Sequence, residues 1–517
     1  MQLIDFFDKG VARYPERYVV VDGERCWTYR EMALLIDQVA TALIAQGVQA
    51  GDKVALCSPN HAMVLAAQYG SLRAGAIWVP INYRNTPAAT LESLQAIEVQ
   101  WLFFHSSQRE LAQAVKLGLP GFKGQVCIDQ SVPEATGLEQ WVHGLVPCGQ
   151  FPTRQSHDPV AILMSSGTTG APKGILLSNL AFTSMVASFD VLLPITQPPV
   201  HLVVAPLTHA AGIYAMALFA HGGTQVLQQH TEAEAILQAI EAHAVTTVFL
   251  PPTLIYMLLA HPHVHQYRYD SLKSMLYGAA PMSVDKLREA MRIFGPVLAQ
   301  GYGQSEALMA IAHLSAQDHA MALADPALEH RLKSAGREGP LVRVAIMDDE
   351  GRLLPDGQPG EIVVRGDIVM DGYYNNPQAS REASAFGWHH TGDIGLRDKD
   401  GFIYVIDRKK EMIISGGFNI FPAEVEQALL GHPAVKDCAV VGVPDEKWGE
   451  AVLAAVELRP GHSFDAAELT QFCKDRLGSV KAPKQVVPIE ALPRSAVGKV
   501  LRREVRAPYW AHLNRTI

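Results

Sequence analysis

The sequence predicts an α/β protein of at least two domains: parallel sheets covered by helices, then an antiparallel segment, then a small α+β region. Three observations predict it. Short apolar runs alternate with helix-period stretches from residue 52 to about 300, the pattern of parallel strands joined by helical crossovers. From about residue 340 the runs shorten and are separated by turn signals (DDEG, PDGQPG, KDG), which suits an antiparallel sheet or barrel. The length, 517 residues, exceeds what one compact core supports.

In chain order, Thr28 precedes a helix-period stretch over 27–47, and Glu31 three residues on completes a capping-box signature. Residues 52–58 (DKVALCS) read as a strand, 60–75 as a helix, 76–80 as a strand, 101–104 as a strand and 109–117 as a helix. Further strands are expected at 160–164, 202–205, 224–227, 245–249, 273–277 and 297–300, with helices between them. Beyond residue 340, strands are expected at 342–346, 361–364 and 401–405. The charged run DRKKE at 407–411 marks a domain boundary, giving domains 1–407 and 408–517, although such runs are commonly solvated loops.

Composition narrows the function. Hydrophobic residues make up 48% and charged residues 18%, as in an ordinary globular protein. A net charge of −9 argues against nucleic-acid binding, whose footprint is basic. The six cysteines (Cys26, Cys57, Cys127, Cys148, Cys438, Cys473) form no CxxC pair and no zinc-spaced His/Cys cluster. They read as thiols of a reducing, cytoplasmic compartment. Asp5 and Asp8 interrupt any secretory signal. The most apolar long stretch, 245–260, is broken by Pro251 and Pro252 and is shorter than a membrane span, so no transmembrane segment is expected.

The stretch Ser165-Ser166-Gly167-Thr168-Thr169-Gly170-Ala171-Pro172-Lys173-Gly174 follows the apolar run 160–164. Glycines let backbone N–H groups approach closely, hydroxyls donate and lysine adds a point charge, the makeup of a phosphate-wrapping loop. It is not a Walker A loop, since two residues rather than four separate Gly167 from Gly170 and Gly174 follows the lysine. A plain glycine-serine turn would share this composition. The order SSGTTGAPKG resembles the nucleotide loop of the adenylate-forming superfamily: acyl-CoA synthetases, adenylation domains of peptide synthetases and beetle luciferases.

Six further stretches between about 200 and 500 resemble that family's motifs in the family's order. In Ala205-Pro206-Leu207-Thr208-His209-Ala210-Ala211-Gly212, the resemblance places His209 at the gate between acyl pocket and nucleotide. Tyr277-Gly278-Ala279-Ala280-Pro281 is similar to the adenine-site loop, although a simple strand-to-helix turn needs the same small residues. In Gln300-Gly301-Tyr302-Gly303-Gln304-Ser305-Glu306, the resemblance has Tyr302 stack on adenine beside Gly301 and Gly303, Ser305 bond the α-phosphate and Glu306 hold Mg²⁺. Ser305 stands where the family usually has threonine, and the hydroxyl is kept. His390-Thr391-Gly392-Asp393, then Tyr404 and Asp407-Arg408, would contact the ribose, and Lys410 falls at the family's hinge. Ser415-Gly416-Gly417-Phe418-Asn419 resembles the segment that meets CoA. Pro493-Arg494-Ser495-Ala496-Val497-Gly498-Lys499-Val500-Leu501-Arg502 carries the family's catalytic lysine, Lys499.

The resemblance implies a large N-terminal domain of two βαβ-type sheets plus a small antiparallel β-barrel, followed by a small mobile α+β domain. It implies an acyl-CoA ligase: ATP and a carboxylic acid give an acyl-adenylate and pyrophosphate, then the CoA thiol takes the acyl group and AMP leaves. Lys499, Lys173 and Mg²⁺ at Glu306 would offset the charge where two anions meet. By family analogy the acyl pocket comprises His209, Ile213, Tyr214, Val248, Gly278, Gly301 and Met309. That set contains no Lys or Arg, so an apolar monocarboxylate is expected, a fatty acid before an aromatic one. Residues 200–215 offer no acidic partner for an amino acid's amine. Other readings are an enzyme that loads a separate carrier protein and a nucleotide-binding homologue without catalysis. A luciferase-like oxygenase has no feature in its favour. The family also allows for a homodimer.

Overall fold

A computed structural model describes residues 1–165, 173–193, 195–280, 282–494 and 500–511. Contacts divide the chain into two compact units, the first of 1–344 with 364–389 and 400–403, the second of 345–363 with 390–399 and 404–517.

The large unit holds two sheets. The seven-stranded sheet runs Gly372–Tyr373, Gly174–Ser178, Pro159–Met164, Ile77–Ile81, Lys53–Cys57, Trp101–Phe104, Gly124–Cys127. From Pro159–Met164 to Gly124–Cys127 the strands are parallel, and Gly174–Ser178 returns antiparallel as a hairpin. All of Lys53–Cys57 is buried, as expected of a strand covered on both faces. The nine-stranded sheet runs Arg337–Glu338, Ala307–Leu314, Leu298–Gln304, Ser274–Gly278, Thr247–Leu250, Val200–Val203, Thr224–Leu227, Tyr18–Asp22, Arg25–Thr28. Its strands from Leu298–Gln304 to Tyr18–Asp22 are parallel, with antiparallel strands at both ends. The two expected βαβ sheets are therefore present, with helices between successive strands.

Local chemistry explains most boundaries. Helix Tyr29–Ala45 starts at Thr28 with both bonds of the capping box made. Helix Val284–Phe294 starts at Ser283, whose hydroxyl accepts from the Lys286 N–H. Several strands depart from the sequence reading, and the one expected at 401–405 lies at Ile403–Arg408. The strand expected at 202–205 lies at Val200–Val203, because the Asn60 carboxamide approaches the Val203 and Ala205 carbonyls at 3.2 and 3.3 Å. The strand expected to end at 300 continues to Gln304 and turns back through Ala307–Leu314.

In the smaller unit the hairpin Val435–Asp445/Gly449–Leu458 dominates a five-stranded sheet. Helices Pro422–Leu430 and Ala466–Lys481 supply one core, around Val425, Leu429 and Leu469. Helix Arg502–Trp510 adds Val505 to a second, with Val441 and Leu453. The strands expected to build a barrel form a four-stranded sheet, Val342–Met347, Gly360–Gly366, His389–Arg397, Ile403–Arg408. The architecture is thus mixed α/β, with a large sheet-bearing part and a smaller α+β part.

Three large-unit histidines are neutral at pH 7. Burial pushes His201, His313 and His319 down to about 4. Unfolded, each takes up a proton near pH 6.5, so the native state binds fewer protons between pH 6.5 and 4. Their stabilisation is complete above pH 6.5 and lost as pH falls toward 4, on the order of 3 kcal/mol each. The unfolding temperature should therefore drop steeply across that window, and a flat profile from pH 7 to 4.5 would contradict this.

Candidate active site

Four neighbouring strands of the nine-stranded sheet, Leu298–Gln304, Ser274–Gly278, Thr247–Leu250 and Val200–Val203, run parallel. The stretches 205–212, 278–280 and 301–306 all lie at or just beyond their carboxyl ends, where ligands of open α/β sheets bind. Close packing dictates the residue types. A Cβ on Gly278 would sit 2.7 Å from the Gly301 carbonyl oxygen, and one on Gly303 would sit 2.5 Å from the Met309 backbone. Ala279 (φ 66°) and Met309 (φ 44°) are held in left-handed backbone, a conformation that costs on the order of 1 kcal/mol and clusters at functional sites.

The phosphate-loop candidate is fastened at its base. Ser165 N–H donates to the Lys173 carbonyl at 2.9 Å, and Lys173 N–H donates to Ser165 Oγ at 3.0 Å. Ser166, Gly167, Thr168, Thr169 and Gly170 lie outside the described residues. Lys173 Nζ sits 4.9 Å from the Tyr373 ring centroid, and the Tyr373 hydroxyl donates to Glu306 Oε1 at 3.1 Å. Tyr373 thus joins the loop lysine to the proposed metal carboxylate, a role the sequence reading missed. Burial, reinforced by the Glu306 charge, raises its hydroxyl's pKa well above the usual range, so it stays a donor. Glu306 offers carboxylate oxygens, the hard donors Mg²⁺ requires. Tyr373→Phe keeps the ring and removes that bond; with Mg²⁺ held at Glu306 as proposed, it should raise the Mg²⁺ concentration for half-maximal adenylation about tenfold. A magnesium titration of pyrophosphate release checks this, and an unchanged midpoint would contradict it.

Under the adenine-loop candidate, the Tyr277 hydroxyl meets His319 Nε2 at 2.8 Å while His319 Nδ1 faces the Ser315 carbonyl at 2.8 Å. Nδ1 therefore carries the proton and Nε2 accepts from tyrosine. This buried pair props the strand end that leads into Gly278, Ala279 and Ala280. At the position expected for the gate, His209 stands at the N-cap of helix Ala210–Met216 without a side-chain capping bond, and its Nδ1 lies 2.9 Å from Thr208 Oγ1. Burial, helped by the Arg84 charge, lowers its pKa, so His209 is a neutral ring. Asn60 holds the preceding loop, accepting the Leu207 N–H at 2.8 Å. Gly212 fits only because it lacks a Cβ, which would overlap the Leu207 carbonyl at 1.6 Å.

Of the expected acyl-pocket residues, Ile213, Tyr214 and Val248 are buried. The Tyr214 hydroxyl meets Thr247 Oγ1 at 2.6 Å, and its ring packs against His201 and Phe189. A cavity of ≈ 130 Å³ opens beside Tyr214, Leu218, Thr246, Thr247 and Lys273. It lies at the amino ends of the strands, and Tyr214 alone of the expected set lines it.

In the smaller unit, buried Asp393 pairs through Oδ1 with Arg408 Nε at 2.9 Å. Its backbone N–H donates to Thr391 Oγ1 at 3.1 Å, and Arg408 reaches the Thr391 carbonyl at 3.4 Å. The three proposed ribose-side residues Thr391, Asp393 and Arg408 are therefore one cluster. Tyr404 donates instead to Asp398 Oδ2 at 3.1 Å. Glu361, unnoticed in the sequence, organises this region by meeting His390 Nδ1 at 3.1 Å, the Gly392 N–H at 3.0 Å and Lys409 Nζ at 3.0 Å. Burial pulls its pKa up, but the bonds from His390 and Lys409 outweigh burial and hold it below the usual value.

Lys410 is exposed within the short helix Lys409–Glu411. Asp407 and Glu411, on either side of it, both bind Arg502, which also forms a two-pronged pair with Glu426 at 2.8 and 2.5 Å. The segment bearing Lys499 is closed at its base, where Leu501 N–H donates to the Pro493 carbonyl at 2.8 Å; Lys499 itself lies outside the described residues. Gly416 (φ 58°) and Gly417 (φ 83°) form the turn of the hairpin Ile413–Ser415/Phe418–Ile420. Beside it stand the exposed rings of Phe418 and Trp448, with Trp448 so close to Gly416 that a Cβ there would lie 2.6 Å away.

The model of the AMP-binding enzyme family matches residues 7–374, and that of the AMP-binding enzyme C-terminal domain matches 424–499. The chain belongs to the AMP-binding enzyme family. It is 39% identical to a medium/long-chain-fatty-acid–CoA ligase of Mycobacterium tuberculosis over 69% of this chain and 62% of that relative's length. It is 34% identical to a feruloyl-CoA synthase of an Amycolatopsis species over 95% of this chain and 96% of the relative. Among solved structures, an amide bond synthetase from Marinactinospora thermotolerans superimposes with TM-score 0.88 at 28% identity, covering 98% of this chain and 100% of that one. Among the described residues no helix is long and apolar enough to cross a membrane.

Proposed function

We propose that this ligase activates an apolar monocarboxylic acid, a fatty acid before an aromatic one, and transfers its acyl group to CoA. The observation that carries the reading is the buried, uncharged character of Ile213, Tyr214 and Val248 together with the neutral His209 ring. None of these four residues carries a cation to pair with a second carboxylate. The fatty-acid–CoA ligase among the relatives supports the first choice and the feruloyl-CoA synthase the second.

In the adenylation step the carboxylate attacks the α-phosphorus of ATP and pyrophosphate leaves. Lys173 and the 165–174 loop take the departing phosphates, and Ser305 and Lys499 the α-phosphate. Asp393 with Arg408 takes the ribose, and the small residues at 278–280 with Tyr302 take adenine. Glu306 would hold Mg²⁺, which supplies charge neutralisation at the phosphates. In the second step the CoA thiol attacks the acyl carbon and AMP leaves, with Gly416, Gly417 and Phe418 beside the pantetheine. A rearrangement at Lys410, between domains 1–407 and 408–517, would exchange the Lys499 face for the Gly416 face.

A screen of pyrophosphate release across short, medium and long fatty acids and benzoate- and cinnamate-type acids tests the acid. The same screen with CoA, a carrier protein or an amine as acceptor tests the second step. Turnover limited to acids bearing a second charge, or acceptance of amines but not CoA, would overturn the reading.

A further inference from the structure

We propose that Glu234, His261 and His263 form a binding site for one divalent transition-metal ion, zinc or a neighbour such as nickel, on the surface of the large unit. Glu234 lies in the first turn of helix Ala233–Ala242, and the two histidines flank Pro262 in the turn after helix Pro252–Leu259. Three donor atoms converge there. Glu234 Oε2 is 2.9 Å from His261 Nε2 and 3.4 Å from His263 Nδ1, and all three atoms lie within 4.8 Å of one another.

Ligand bonds of about 2.0–2.1 Å at tetrahedral or octahedral angles place neighbouring donors about 2.9–3.4 Å apart. The two carboxylate–imidazole spacings already match, and the imidazole pair lies within 4.8 Å. The carboxylate is also oriented from behind. The Tyr267 hydroxyl donates to the other oxygen, Glu234 Oε1, turning Oε2 toward both rings, as second-shell donors do at metal sites. Two imidazoles and one carboxylate select zinc-like ions over Mg²⁺ and Ca²⁺, which require an oxygen shell.

The side chains are 20% (His261), 39% (Glu234) and 50% (His263) exposed, so an ion can enter from solvent and keep water in its remaining positions. Protons must leave the two ligating nitrogens, His261 Nε2 and His263 Nδ1, which now face the carboxylate. The His263 backbone N–H now donates to His261 Nδ1 at 3.3 Å, so the neutral ring carries its proton on Nε2. Metal capture moves that proton to Nδ1 at the loss of one long bond. The bound ion would tie the start of helix Ala233–Ala242 to the histidine turn, and none of its ligands belongs to the proposed catalytic set.

The test is calorimetric titration of the full chain, free of any histidine tag, with zinc chloride and separately with nickel chloride in a non-chelating buffer. One equivalent should bind saturably, and binding should weaken at least about tenfold in both His263→Ala and Glu234→Gln. Zinc should raise the unfolding temperature of the parent chain and leave that of His263→Ala unmoved. His263 is half exposed, so that variant should fold and release pyrophosphate at the parent rate. Absence of saturable uptake, or uptake that survives both substitutions, would overturn the site.

Discussion

Replacing Lys499 by alanine is expected to slow acid-dependent pyrophosphate release by about 100- to 1000-fold, while thioester formation from supplied acyl-adenylate keeps most of its rate. A carboxylate approaching the α-phosphate brings two anions together, so adenylation needs a cation placed between them. The second step starts from a neutral carbonyl and expels AMP, and no such meeting of anions occurs. Single-turnover measurements of the two half-reactions separate them. Equal losses in both would show that Lys499 acts as a structural residue.

Arg502→Met should destabilise the smaller unit by about 3–5 kcal/mol, the usual result of removing one partner of a buried ion cluster. The guanidinium is the shared cation of Asp407, Glu411 and Glu426. Burial already raises the Glu426 pKa against the opposing pull of Arg502, so losing the arginine leaves carboxylates in an apolar setting. Arg502 lies three residues beyond Lys499 and binds both sides of the Lys410 segment. Both half-reactions should therefore fall together, alongside an earlier unfolding transition, with partial recovery in Arg502→Lys. Unchanged unfolding with only adenylation lost would contradict the anchoring role.

The sequence made the elements legible where one short-range signal decides them. Thr28 and Glu31 placed a helix start, and WLFF placed a strand at Trp101–Phe104. The strands Tyr18–Asp22 and Arg25–Thr28 escape that reading, although the two-residue loop Gly23-Glu24 between them opens with a glycine, a hairpin signal, and Gly23 does adopt φ 61°. The site was legible as motifs, because each lies on one short stretch. Its supports were not. Tyr373 reaches Glu306 across 67 residues, Asn60 reaches Leu207 across 147, and Arg502 reaches Asp407 across 95. No periodicity or local spacing signals a contact of that range, and a lone tyrosine, asparagine or arginine is ordinary until the fold supplies its partner.

The central claim is that the acid's own oxygen attacks the α-phosphorus of ATP. An acid accepted in the screen, labelled with ¹⁸O in its carboxylate, tests it directly. After one turnover with ATP and CoA, the account predicts one ¹⁸O atom in the released AMP and none in pyrophosphate. Unlabelled AMP, or ADP accompanied by labelled phosphate, would contradict it.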